Sequence, residues 1–190
     1  MDHGDDPTVL IAEDEPDLAD LYTAWLEEDC RVRTAYNGSQ ALDAIDESVD
    51  VVLLDRRMPG LSGDKVLNTI RDRKLGCRVA MVTAVEPDFD IIEMGFDDYL
   101  VKPVSREKLR SLVDQLLLRS EYDGMLQEFY ALASKKAILD KQKPEYELRA
   151  SEEYRRLKDR LAVLRADIDD TMAELSDRDA YTQASQDIAR

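Results

Sequence analysis

The chain has two cysteines and one histidine in 190 residues. Cys30 and Cys77 stand singly, without Cys-x-x-Cys spacing, and the lone histidine is His3. A zinc site or a catalytic Cys–His pair is therefore without support, and the two thiols read as small core residues. No apolar run approaches the roughly 20 residues that a membrane-spanning helix needs. The acidic start Met1-Asp2-His3-Gly4-Asp5-Asp6 lacks a signal peptide's basic n-region, so a cytoplasmic location is expected. Basic charge is short as well: 26 Lys plus Arg face 42 Asp plus Glu, for a net charge of -16. Duplex binding is driven by neutralising phosphates, which this surface opposes, so a direct nucleic-acid partner is not expected. High negative charge keeps a chain soluble but strains it by self-repulsion that salt screens. A salt-rich, halophilic cytoplasm and salt-dependent folding are the expectation.

Against these absences stand four short apolar runs, each ending in a polar residue. They are Val9–Ala12 before Glu13 and Asp14, Val51–Leu54 before Asp55, Arg78–Val82 before Thr83, and Asp98–Val101 before Lys102 and Pro103. With Arg31–Thr34 they make five expected strands, and amphipathic helices are expected over Asp17–Glu28, Ser39–Asp46, Asp64–Asp72 and Arg106–Leu118. Short apolar strands alternating with helices predict a doubly wound α/β fold, a parallel sheet with helices on both faces. In such a sheet the carboxyl ends of neighbouring strands open onto one crevice, and the five strands fit the flavodoxin-like order 2-1-3-4-5.

That convergence suits one chemistry. Glu13, Asp14 and Asp55 supply hard oxygen ligands for Mg²⁺, which prefers near-octahedral oxygen coordination. Asp55 is the natural nucleophile, because a carboxylate can take a phosphoryl group as an acyl phosphate and the transfer needs mainly positioning and charge neutralisation. Lys102 would pair with phosphoryl oxygens as a point charge, and Thr83 would donate a hydrogen bond to them. Taken singly, Asp55 reads as a strand end or cap, Thr83 as a β-branched strand residue and Lys102 as a solvated charge. Their ordered set is what carries the reading.

At this point residues Thr8 to Leu118 resemble the phospho-receiver domains of two-component response regulators. The linked pieces are Leu54-Asp55-Arg56-Arg57-Met58-Pro59-Gly60 with Gly63, then Val82-Thr83-Ala84, then Tyr99-Leu100-Val101-Lys102-Pro103. The resemblance implies Asp55 as phosphoacceptor, Glu13 and Asp14 as the acidic metal pair, and Arg57 as a metal ligand through its main-chain carbonyl. It also implies Thr83 and Tyr99 as switch residues, a cis bond between Lys102 and Pro103, a sensor histidine kinase as phosphodonor, and no catalysis beyond self-phosphorylation and dephosphorylation at Asp55. Haloacid-dehalogenase-like phosphatases also use a nucleophilic Asp but place a second Asp two residues later for acid–base work. That position here is Arg57, which cannot transfer protons. Two departures from the receiver pattern stand out. The segment Ala84–Phe96, with Pro87 inside it, is short, which predicts a short or irregular fourth helix. Arg56 and Arg57 are unusual after the nucleophile.

After Leu118 the chain changes character. Residues 1–118 carry 13 Lys plus Arg against 26 Asp plus Glu, whereas residues 119–190 carry 13 against 16. Tyr122, Met125, Phe129, Leu132 and Leu139 recur at helical spacing up to a break at Lys143-Pro144. Ala150, Tyr154, Leu157, Leu161, Leu164, Ile168, Thr171 and Leu175 then alternate spacings of four and three, a coiled-coil seam. The expected organisation is a receiver domain over 7–118, an antiparallel helical hairpin over 119–176 and a frayed tail over 177–190. This second part resembles the HalX domain that follows receivers in haloarchaeal regulators. A homodimer through these helices, or through the fourth-helix and fifth-helix face of the receiver, is expected. The alternatives for output are a constitutive interaction scaffold and a DNA-binding transcriptional regulator, the latter resting only on Lys135, Lys136, Lys141 and Lys143.

Overall fold

The structure is a computed structural model that describes residues 6–188, with side chains described to residue 178. The notebook of local signals at His3 and the other leading residues falls outside this range. Five strands, β1 (Thr8–Ala12), β2 (Arg31–Ala35), β3 (Val51–Leu54), β4 (Arg78–Thr83) and β5 (Asp98–Val101), form one parallel sheet in the order β2-β1-β3-β4-β5. The expected fold class and strand order are thus found. Because successive side chains of a strand point to opposite faces, each apolar run feeds two cores. Leu10, Val52, Leu54, Val79 and Met81 pack with Val66, Leu67 and Ile70 on one side. Val9, Ile11, Val51, Leu53, Ala80 and Val82 pack with Tyr22, Leu26, Leu109, Val113 and Leu116 on the other.

The helices of the first unit are α1 (Pro16–Leu26), α2 (Gly38–Ala44) and α3 (Gly63–Asp72). Pro16 stands at the start of α1, where its missing N–H costs no helical bond. Asn37 caps α2 by accepting from the Gln40 N–H at 2.9 Å, and the helix stops at Ala44, two residues before the expected Asp46. The expected fourth helix is a single 3₁₀ helix, Phe89–Glu93, whose side chains are all at least partly exposed. Cys77 is buried as expected, whereas Cys30 is only half-buried, a correction to its reading as core.

The expected fifth receiver helix does not stop at Leu118. It is the first part of α4 (Arg106–Gln142), and the chain divides into its two compact units between Leu117 and Leu118, within that helix. The second unit adds α5 (Glu145–Ala150) and α6 (Glu152–Ile188). Pro144 ends the first helix where expected, but a second break at Ser151 makes α5 a separate turn, with the Ser151 hydroxyl accepting from the Tyr154 N–H at 3.1 Å to cap α6. The α4 and α6 segments of this unit run antiparallel: Tyr154 donates to Asp140, Arg160 grips Glu128 through two bonds of 2.7 and 2.6 Å, and the Tyr122 hydroxyl meets the Met172 sulfur at 3.3 Å. The tail expected to fray over 177–190 is instead helical to Ile188, the last two residues lying outside the described range. Among the described residues no helix is long and apolar enough to cross a membrane.

Candidate functional site

Parallel pairing sets the four strand ends side by side. The Asp55 N–H donates to the Ala12 carbonyl at 2.9 Å and the Lys102 N–H to the Thr83 carbonyl at 2.9 Å, so ladder bonds continue just past the strands and fix the first residue of each loop. Glu13, Asp55 and Thr83 are buried at these ends. One oxygen each from Glu13, Asp14 and Asp55 lies within 4.8 Å of the others, a separation one small cation can bridge. Lys102 Nζ stands 2.6 Å from Glu13 Oε2 and 2.6 Å from Asp55 Oδ2, pairing with both acids at once. Asp55 Oδ1 accepts from the Arg57 N–H at 2.9 Å, which orients the carboxylate from the loop side.

Burial pushes the Glu13 carboxyl up, against the opposing hydrogen bond and charge of Lys102. Burial is also the largest single effect on Lys102 and would lower it, but the combined bonds and charges of Asp55 and Glu13 raise it above the ordinary lysine value. Lys102 is thus held charged between two acids. All three carboxylates offer oxygen only, the donor set that Mg²⁺ takes, so the residues present fit that ion.

The loop after β3 is shaped by two glycines. Gly60 has φ of +79°, a left-handed conformation that costs side-chain-bearing residues energy. A Cβ on Gly63 would lie 2.1 Å from the Asp55 carbonyl oxygen, so only glycine lets α3 start this close to the site. An open cleft of about 850 Å³ lies over the loop, lined among others by Asp14, Arg56, Arg57, Asp64, Val85 and Asp90.

Thr83 and Tyr99 meet through a residue that sequence reasoning missed. The Val85 N–H points at Thr83 Oγ1 at 3.4 Å, and the Val85 carbonyl accepts from the Tyr99 hydroxyl at 2.7 Å. The Tyr99 ring, half-buried, lies 5.5 Å from that of Phe96. The Lys102–Pro103 bond is cis. Also missed were the partners of Arg56, whose guanidinium binds Asp64 and Asp90. No periodicity marks such pairs, and only the unusual Arg itself gave a signal.

The family model of the response regulator receiver domain matches residues 9–114. The chain belongs to the response regulator receiver family. Residues 118–185 match the HalX domain. A candidate transcriptional regulator of Haloferax volcanii is 52% identical over 160 residues, covering 84% of this receiver protein and 27% of the relative. The transcriptional regulatory protein CpxR of Escherichia coli is 35% identical over 123 residues, covering 63% and 53%. The chain thus spans between about a quarter and half the length of these relatives. Among solved structures, the Thermotoga maritima response regulator TrrA in complex with Mg²⁺ and BeF is 32% identical, with a TM-score of 0.52, covering 58% of this receiver protein and 99% of TrrA.

Proposed function

We propose that this receiver takes a phosphoryl group on Asp55 from a sensor histidine kinase and changes conformation in response. The observation that carries this reading is Lys102 Nζ at 2.6 Å from Asp55 Oδ2, beside three carboxylates close enough to share one cation. An Asp55 oxygen attacks the phosphorus of a phosphohistidine, the P–N bond breaks with its electron pair returning to the imidazole, and an acyl phosphate forms. Mg²⁺, held by Glu13, Asp14, Asp55 and the Arg57 carbonyl, supplies charge neutralisation for the transferring group. Lys102 stays within reach of the new phosphoryl oxygens as its second counter-charge. The Thr83 hydroxyl turns toward them, loosening Val85, and the freed Tyr99 repacks.

The chain is proposed to turn over no other substrate. Incubation with a small phosphomonoester should release no inorganic phosphate, and sustained release would overturn that assignment. Asp55→Asn should abolish phosphoryl uptake from acetyl phosphate or a kinase, and labelling that persists in this variant would refute the site.

For output, the relatives named as transcriptional regulators point to control of transcription. In the hairpin, Lys136 and Lys143 are already paired with Asp140 and Glu147, which favours protein contact over phosphate contact. A homodimer through α4 and α6 is the form proposed. The exposed Tyr130, Ile138 and Val163 also support a second reading, a constitutive scaffold. Light-scattering mass at high salt with and without Mg²⁺ and beryllofluoride separates them: a switch changes mass with the mimic, and a scaffold does not.

A further inference from the structure

Arg56 follows the phosphoacceptor directly, yet its guanidinium is engaged away from Asp55. Its Nε donates to both Asp64 oxygens at 3.0 and 3.2 Å, and an Nη donates to Asp90. Its side chain is 15% exposed, so the two bonds are made from a largely desolvated group. Asp64 belongs to the first turn of α3 and Asp90 to the 3₁₀ helix. One arginine thus ties the loop carrying the nucleophile to the segment between β4 and β5.

That segment has little else to hold it. No side chain of Phe89–Glu93 is buried, and Phe89 and Ile92 are 85% and 76% exposed. At its start, Val85 is tethered to Thr83 Oγ1 by a long 3.4 Å bond and to the Tyr99 hydroxyl by a short one. Any turn of Thr83 toward a phosphoryl group must move Val85, and the segment that follows is pinned through Asp90.

We infer that Arg56 is a positioning residue: by clamping Asp90 it sets the resting place of segment 84–94, and so sets how readily the receiver adopts its phosphorylated conformation. The inference rests on the proposed phosphoryl switch at Asp55. A contact made only in the resting state opposes any ligand that selects the other state, so its removal strengthens binding of that ligand.

The test uses the full chain in high salt, with Arg56→Gln, Asp90→Asn and the double variant. Beryllofluoride affinity at saturating Mg²⁺ is read by calorimetry, and backbone hydrogen exchange over Val85–Glu93 is read without ligand. Each single variant should bind the mimic about two- to tenfold more tightly, in the range of a half-exposed ion pair. The double variant should gain no more than one single, because both remove the same contact. Exchange over Val85–Glu93 should quicken in all three. Weaker binding by Arg56→Gln with unchanged binding by Asp90→Asn would overturn the clamp and make Arg56 a contact of the mimic. Unchanged affinity and exchange in both singles would overturn it outright. Asp55→Asn serves as control: if it still binds the mimic, the phosphoryl site is wrong, and the ligand-free exchange still decides whether the clamp exists.

Discussion

Gly63 shows how closely single residues confine this site. A methyl group there would overlap the carbonyl of Asp55, so Gly63→Ala must displace either α3 or the nucleophile's own backbone. The expected cost is roughly 2–4 kcal/mol in denaturant unfolding, as for other strained or overpacked positions. Cys30 is a residue-scale case in which pH decides. Burial, then the neighbouring charge of Asp29, pushes its thiol up to about 11. Its alkylation in the folded protein should be slow at pH 8 and rise as the pH approaches 11. The unfolded thiol ionises first, so any stability this thiol lends is complete below about pH 8.5 and is lost as pH climbs through 11. Asp55, Thr83 and Lys102 were legible in the sequence because each closes an apolar run, and strand ends converge by topology. Asp64, Val85 and Asp90 were not. Their roles come from a guanidinium's reach and a backbone carbonyl's position, neither of which leaves a pattern in the chain.

At the scale of elements, α6 tests the seam directly. Tyr154, Leu157, Leu161, Ile168, Thr171 and Leu175 are half-buried, and Leu164 is fully buried at 1% exposure. Leu164→Ala should lower hairpin stability by about 2–5 kcal/mol in a thermal melt followed by helical circular dichroism. Val163→Ala, at a position 51% exposed, should stay within about 0.5 kcal/mol. Strand limits were read to within a residue because both faces of each strand are apolar. The length of α4 was not, and the reason is phase: Leu109, Leu112, Val113 and Leu116 share one stripe, but the six residues from Leu116 to Tyr122 are no helical repeat. The pattern reads as two helices where the backbone makes one. The break at Ser151 was missed because Pro144 already explained the interruption.

For the whole molecule, charge is the dominant condition. A net charge of -16 acts against compaction unless counter-ions screen it. Circular dichroism across a salt series should show loss of structure toward dilute buffer, and full folding there would sink the idea. The parallel sheet and its order were legible because apolar runs and amphipathic stretches alternate strictly. The division at Leu117 was marked only by a change in charge density and stripe phase. Within this acidic molecule, the acids of the phosphoryl pocket are an exception, since Lys102 already sits between Glu13 and Asp55. The pocket brings its own internal counter-ion, so its acids do not depend on a divalent ion to be tolerated at the sheet's edge. Folding and magnesium sensing are thereby separated: chelation should leave the melting temperature nearly unmoved, and the cell's magnesium can govern signalling without governing how much folded receiver exists.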